Sequence, residues 1–520
     1  MDPYDVIIIG TGAGGGTLAY ALAPAGKRIL LLERGDYLPK GKANWDPGAV
    51  FPDERYKTAE RWYDAAGHPF RPEMNYYVGG NTKVYGACLL RMREQDFGEI
   101  RHQDGISPAW PLAYRDFEPH YTAAEHLYMV HGRHGQDPLD PPTSHEYAFP
   151  PLQHEPRIQQ IADDLRAAGL HPFPLPMAIN RDDQVPRRRP CIRCDTCDGF
   201  PCLVDAKCDA QVTCVDKALT HSNVSLLVNA RATRLVTNPT GTEVVQVEAD
   251  VAGRPEVFSA GIVVVACGAI NSAALLLRSA SEQHPRGLAN TSDQVGRNLM
   301  LHNNSAMLAV SAITPNPTVF QKTLGLNDFY FQDPDGTYPL GHIQLMGKSK
   351  PEMLRGEAPV FTPHGALDYI TTHAVDWWLT TEDLPRPENR ITVDGQGQIV
   401  LSYTPNNVEP HRRLVRRLER ILQQTGHAHT LLPHTAYFPK RMPLAAVCHQ
   451  VGTCRFGPDP RTSVLDLTCR THDVANLYVV DGSFFPSISS VNPSLTIIAN
   501  ALRVAEHLRD RLGVRTAEAA

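Results

Sequence analysis

No apolar run in this chain approaches the ~18–20 residues that a membrane-crossing helix requires. Only Met1-Asp2-Pro3 stands before the first apolar stretch, which leaves no room for the charged and apolar regions of a secretion signal, so a cytoplasmic protein is expected. Blocks of lysine and arginine interleaved with aromatics are also missing. With 50 Lys+Arg against 56 Asp+Glu and a net charge of -6, nucleic acid is not expected as a partner. The one basic run, Arg187-Arg188-Arg189, is short and reads as a solvated turn. What remains has the composition of an ordinary enzyme, and 520 residues are too many for one small core.

The stretch with the clearest grammar is Tyr4 to Asp36. A buried-type strand, Val6–Ile9, runs into Gly10, Gly12 and Gly15 at G-x-G-x-x-G spacing, a helix follows, and Glu33 stands about twenty residues on. Gly10 permits the tight turn and Gly12 a close approach of backbone to a pyrophosphate. Gly15 lets the helix pack on the strand with its N-terminal amides toward the phosphates. A dinucleotide-binding α/β unit is expected there. A second unit of the same kind begins at Ile262–Cys267 (IVVVAC), where Gly268 opens the helix AINSAALLLRSA. The nucleotide domain is therefore expected to be discontinuous.

Between and beyond these units the signals are weaker. A short helix is expected near Glu54–Asp64. Gly79-Gly80 before Asn81 and Thr82 reads as a ligand-cradling loop, and 108–131 as helix with Trp110 and Tyr121 in the core. Residues 132–190, rich in Pro, His and Asp, read as loops, with a lid over a site among their uses. Residues 223–250 read as a β-meander. Residues 307–438 (SAMLAVSAIT, HIQLMG, ITTHAV, ITVDGQGQIVLSY) read as an antiparallel sheet, with a helix over 411–425. At the C-terminal end, Asn492-Pro493 before an apolar helix has the form of an N-cap with proline at N1, and His449 on these residues alone reads equally as a core histidine.

Six of the eleven cysteines fall between Cys191 and Cys214. Cys191, Cys194 and Cys197 at x2 intervals, with Cys202 after x4, approach a ferredoxin-type pattern without matching it: the fourth spacing is wrong and Pro201 precedes the cysteine. Free structural thiols are favoured over a disulfide pair and over an iron-sulfur cluster or zinc held by those four; Cys208 and Cys214 complete the segment.

Taken together, GTGAGG with Glu33, GGNTKVYGA, AKCDA, VVVACGAINSAALLL, QVGRNLMLH, HQVGTCRFG, VVDGSFFP and VNPSLT resemble, in order, the motifs of the glucose-methanol-choline (GMC) family of FAD-dependent oxidoreductases. The resemblance implies a Rossmann-like FAD domain in three parts (1–98, 190–302, 445–520) and an α+β substrate domain in two (99–189, 303–444). It implies that Gly10, Gly12, Ala13, Gly14, Gly15, Glu33 and Arg34 hold the ADP half of FAD. Gly80, Asn81 and Thr82 would lie along the pyrophosphate and flavin, Ala232 at the adenine, and Asp481, Gly482, Pro493 and Thr496 toward the ribityl and flavin. His449 and Asn492 take the two catalytic positions. No histidine lies between Gly79 and Met92, so FAD is expected to be non-covalent. The implied activity is oxidation of a primary or secondary alcohol, with oxygen or another acceptor. The alternatives are a lyase of the same family and an electron-transferring dehydrogenase subunit with an iron-sulfur cluster.

Overall fold

Three distant stretches of chain supply the sheet on which the site rests. In the computed structural model, which describes residues 3–182, 190–355, 358, 361–428, 430–434 and 449–514, five parallel strands stand in the order Val224–Leu227, Ile29–Leu32, Tyr4–Ile9, Ala260–Val265, Leu477–Val479. The middle strands are continuous apolar runs because helices cover both faces, and Val6, Ile7, Ile8, Val264 and Val265 have no exposed surface. The opening helix, Ala13–Leu22, packs on the C-terminal helix Ser494–Arg511, which in turn packs on Tyr114–Leu127. Tyr121 joins the last two through a 2.7 Å bond between its hydroxyl and Thr496 Oγ1. Strand order reverses direction between Tyr4–Ile9 and Ala260–Val265, and a doubly wound sheet binds its ligand at the carboxyl ends beside such a point.

A second, antiparallel sheet runs Thr430–His434, Asn303–Val310, Ala374–Thr381, His342–Leu345, Leu324–Leu326, Phe173–Pro174. Its two faces separate by the two-residue period of a strand. Met307, Trp377 and Leu345, which stand opposite one another, pack in one cluster with Leu414 and Leu418 of the helix Val408–Gln424. Ala306, Trp378 and Gln344, one residue on, lie on the other face.

Several local expectations are overturned. Residues 54–61 form a short turn and irregular backbone instead of a helix, and Trp62–Asp64 is a strand paired with Pro69–Phe70 and Ile399–Ser402. The hairpin Arg390–Val393 and Ile399–Ser402 belongs to that sheet, apart from the large antiparallel one. Val224–Leu227 is the edge of the parallel sheet, so the meander comprises only Ala230–Thr237, Val244–Val251 and Arg254–Phe258. Residues 132–182 are not all loop: Pro156–Ala167 is a helix that buries Ile158, Ile161, Ala162 and Leu165. The stretch ITTHAV is helical through His373, and the strand begins at Ala374. Arg187–Arg189 lie outside the described residues.

A Cβ added at Gly14 would overlap the carbonyl oxygen of Val480, whereas one added at Gly12 would meet no atom within 4 Å. Gly14→Ala is therefore expected to cost about 1–3 kcal/mol through overpacking and to lower the thermal midpoint of cofactor-free protein. Gly12→Ala should leave that midpoint unchanged, and equal midpoints for the two variants would contradict the packing described.

Candidate active site

The carboxyl ends of the parallel strands and the face of the antiparallel sheet that carries Asn304, Gln344 and Trp378 enclose one cavity of about 880 Å³. Gly10, Gly12, Ala13, Gly14, Glu33, Arg34, Gly80, Asn81, Thr82, Ala232, Asp481, Gly482, Asn492 and Pro493 line it together with His449. Two expected residues lie off the lining. Gly15 sits beneath the turn, where a Cβ would overlap the carbonyl of Gly10, and Thr496 is spent on Tyr121.

One end is a cradle of backbone and small residues. Glu33 is buried, and burial pushes its carboxyl above the usual range against the pull of its hydrogen bonds. Oε2 accepts from Thr11 N at 3.1 Å and Thr11 Oγ1 at 2.6 Å, while Oε1 accepts from Gly35 N at 3.0 Å and keeps a lone pair for a ligand hydroxyl. Thr11 Oγ1 also accepts from Gly79 N at 3.1 Å, so one hydroxyl ties both glycine turns together. The second turn, Gly80–Lys83, is anchored from beneath. Lys83 Nζ meets Asp209 at 2.9 Å, and Thr82 Oγ1 accepts from Ala210 N at 2.9 Å, both partners belonging to the AKCDA segment. Arg34 lies 3.6 Å over the ring of Tyr76 and pairs with Glu60 at 3.2 Å. The ladder of Ala230–Thr237 shifts register between Ala232 and Arg234, a bulge at the point where Ala232 reaches the cavity.

Asp481 is more committed than its motif suggests. Its carboxylate accepts from Ser272 Oγ, Gly268 N (3.0 Å), Ser483 N (2.8 Å) and Ser483 Oγ, which leaves its backbone, with that of Gly482, to meet a ligand.

At the other end stand the two residues assigned to catalysis. His449 Nδ1 is 3.0 Å from His302 Nδ1, with the rings edge to face at 84°. Burial pushes the His449 imidazole down to about 4, and burial beside His449 pushes His302 well below the ordinary histidine value, so both are neutral at pH 7. Asn492 does not cap the C-terminal helix. Pro493 is the N-cap residue, and Asn492 Nδ2 instead lies 3.3 Å from Gln344 Oε1 and 3.5 Å from the Cys88 carbonyl. Gln344 in turn contacts His342 Nε2 at 3.0 Å. Asn304, Gln344 and Trp378 project from the antiparallel sheet into this end, and Met346 and Met353 complete it with apolar surface.

The cysteine segment forms a wall. Asp198 and Gly199 line the cavity, with Asp198 bonded to Lys322 at 2.6 Å and to Gly347 N. Phe51 lies against Gly199 and meets Phe200 edge-on at 5.1 Å. Cys191, Cys194, Cys197 and Cys202 are free thiols. Among the described residues, no three His, Cys, Asp or Glu side chains converge as a metal site would require. Burial raises Cys191 to about 11 and Cys197 above its ordinary value, so neither is a thiolate at neutral pH.

Comparison with known sequences settles the family. The GMC oxidoreductase profiles match residues 70–304 and 385–501, and an NAD(P)-binding Rossmann-like profile matches residues 8–68. The 6'''-hydroxyparomomycin C oxidase of Streptomyces lividus is 32% identical over 98% of this chain and 92% of its own length. This chain belongs to the GMC oxidoreductase family. It is an oxidoreductase of the alcohol-oxidising type, with a Rossmann-like dinucleotide-binding domain. The paromamine 6'-oxidase of Streptomyces fradiae is 29% identical over 97% of this chain and 91% of its own length. Among solved structures, pyridoxine 4-oxidase from Mesorbium loti superposes with a TM-score of 0.66 at 19% identity, covering 98% of this chain and 99% of that one, which is a likeness of fold.

Thr11, His302, Gln344 and Trp378 carry the site without having been singled out from sequence. Thr11 occupies the variable position of G-x-G and His302 ends the QVGRNLMLH motif, so each had a nearby signal. Gln344 and Trp378 had only strand alternation. Because Glu33 keeps one lone pair toward the cavity, Glu33→Ala is expected to release a bound flavin dinucleotide at least about tenfold more readily, the loss of one strong hydrogen bond. FAD-loaded molecules of that variant should keep their chemistry. Equilibrium dialysis followed by the flavin spectrum reads this directly, and unchanged retention would contradict the cradle.

Proposed function

We propose that the chain binds FAD non-covalently along the cavity and oxidises a hydroxyl group of an amino-sugar alcohol of the paromamine kind, with His449 as base and Asn492 as hydrogen-bond donor. The observation that carries this is the meeting, in one cavity, of the glycine cradle from the N-terminal strand ends with His449, Asn492 and the amide-bearing face of the antiparallel sheet. The cradle fits a dinucleotide. Gly12 leaves open space where any side chain would protrude, the Glu33 oxygen suits a ribose hydroxyl, and the turns bring backbone amides close to the cavity.

When bound beside Gly12, Glu33 and Gly80, FAD would supply a hydride acceptor for the oxidised carbon. The hydroxyl proton must leave at the same carbon, and a neutral His449 is the group able to take it. Asn492 cannot take up a proton, but its Nδ2 can exchange one of its long contacts, to the Cys88 carbonyl at 3.5 Å or Gln344 Oε1 at 3.3 Å, for the substrate oxygen, which steadies the developing alkoxide and orients the reacting carbon. The C-terminal helix directs its positive end, at Asn492–Ser494, into the same cavity. With the hydroxyl proton on His449 and two electrons and the carbon-bound hydrogen accepted by FAD, the product would be the carbonyl compound.

The substrate class draws on two sources. The two oxidases from Streptomyces are named for paromamine and hydroxyparomomycin, polyhydroxylated amines. The sheet presents Asn304 and Gln344 for hydroxyl and amine groups, with Trp378 between them as a flat surface for a sugar ring.

Anaerobic mixing of the flavoprotein with paromamine and with simple alcohols tests the proposal: bleaching of the flavin absorbance is expected, fastest for the amino sugar. Turnover with persistent flavin colour would instead indicate a lyase. His449→Ala should slow flavin reduction by roughly 10²–10⁴-fold, and an unchanged rate would place the base elsewhere. Since the His449 imidazole is held near about 4, its neutral form persists as pH falls. The reduction rate should therefore stay level from pH 8 to about 5, whereas an unperturbed histidine would already be half protonated near about 6.5.

A further inference from the structure

We infer that His302 is a positioning residue that fixes the tautomer of His449, so that His449 presents its Nε2 lone pair to the substrate. This rests on the assignment of His449 as base. Ser489 O can only accept, and His302 Nε2 lies 2.9 Å from it, so Nε2 of His302 carries the hydrogen. A neutral imidazole has one N–H, and His302 Nδ1 is then an acceptor. Its neighbour at 3.0 Å is His449 Nδ1, which must carry a hydrogen and donate it. Nε2 of His449 is left with its lone pair free, as a base requires.

Three features hold the arrangement. His302 is buried, and its backbone N–H donates to Asp383 at 2.9 Å; Asp383 also accepts from Leu301 N at 3.1 Å and from the Tyr403 hydroxyl at 2.7 Å. Ser489 is held at φ +61, a left-handed conformation unusual for a residue with a side chain, and it is fixed on both sides. Ser490 N donates to the Tyr330 hydroxyl at 3.1 Å, and Trp110 Nε1 donates to Ser487 Oγ at 2.9 Å. Finally, burial keeps both imidazoles neutral, so the donor and acceptor roles along the chain of three groups are unambiguous. When His449 takes the substrate proton, the new imidazolium still donates from Nδ1 to His302, and a neutral hydrogen bond becomes a charge-assisted one. His302 thereby favours the protonated state that forms during reaction without touching the substrate.

The direct test is the imidazole ¹⁵N spectrum of histidine-labelled, FAD-loaded wild-type protein, with the His449 signals identified by their loss in His449→Asn. Nδ1-protonated His449 is expected, and Nε2-protonated His449 would overturn the inference. Two substitutions then test its consequence. His302→Asn sets Oδ1 at the same number of bonds from Cα as the histidine Nδ1 and keeps an acceptor, whereas His302→Leu keeps volume and removes it. For variants that retain FAD, flavin reduction should fall at least about tenfold in the leucine variant and recover to near wild type in the asparagine variant, with little change in KM. Equal rates in all three proteins, or equal losses in both variants, would overturn it. If both lose FAD, the wild-type spectrum decides alone. A normal reduction rate in His449→Ala would instead count against the base assignment, leaving the tautomer to be judged by the spectrum.

Discussion

Backbone-to-backbone contact at the carboxyl ends of three parallel strands is the constraint on which the rest depends. Gly10 follows the strand Tyr4–Ile9 at φ +101 and lies so close to Ala266 that a Cβ would overlap the Ala266 carbonyl. Gly14 stands in the same relation to Val480, at the end of the strand Leu477–Val479. Only glycine permits such approaches, and they bring an N-terminal turn, a mid-chain turn and a C-terminal turn to the rim of one cavity. Asp481 then locks the rim by spending its whole carboxylate on Ser272, Gly268 and Ser483. A residue that looks like a cofactor ligand is, in its side chain, a tie between strand ends.

From that rim the division of labour follows. The first strands present small residues and amides suited to a dinucleotide, and the C-terminal segment adds His449, Asn492 and a helix end. The antiparallel sheet closes the far side because its two-residue period sends Met307, Trp377 and Leu345 into packing and Gln344 and Trp378 into the cavity. A slip of one residue in that register would exchange the two sets. Packing and the lining of the cavity are thus coupled through strand pairing far from the glycine turns.

How much of this was legible depended on whether the cause was local. The glycine turn and the strand Ala260–Val265 could be read because tight turns and two-sided burial dictate residue types within a few positions. The helix Pro156–Ala167 was hidden by its proline- and histidine-rich surroundings, although Ile158, Ile161, Ala162 and Leu165 carry the helical spacing. Ile370–Thr372 looked like strand for its β-branched residues, yet the helix keeps Leu367 and Thr371 on its buried side and yields to strand only at Ala374. Val224–Leu227 is half exposed at a sheet edge and so mimicked a meander strand. Asn492 satisfied the grammar of a cap, but Pro493 takes that position and Asn492 Nδ2 lies 3.3 Å from Gln344 Oε1, a contact set by tertiary packing. The QVGRNLMLH motif marked the neighbourhood of His302, but its pairing with His449 joins residues far apart in sequence and shows only in the fold.

In the proposed reaction a C–H bond of the alcohol breaks by hydride transfer to FAD held between these strand ends and the sheet. Rapid-mixing measurement of flavin reduction with paromamine carrying deuterium at the oxidised carbon tests it most directly. Deuteration is expected to slow reduction severalfold, while FAD remains bound and a carbonyl product appears in equal amount to reduced flavin. Reduction at the same rate for both isotopologues under single-turnover conditions, or product formed without flavin reduction, would contradict it.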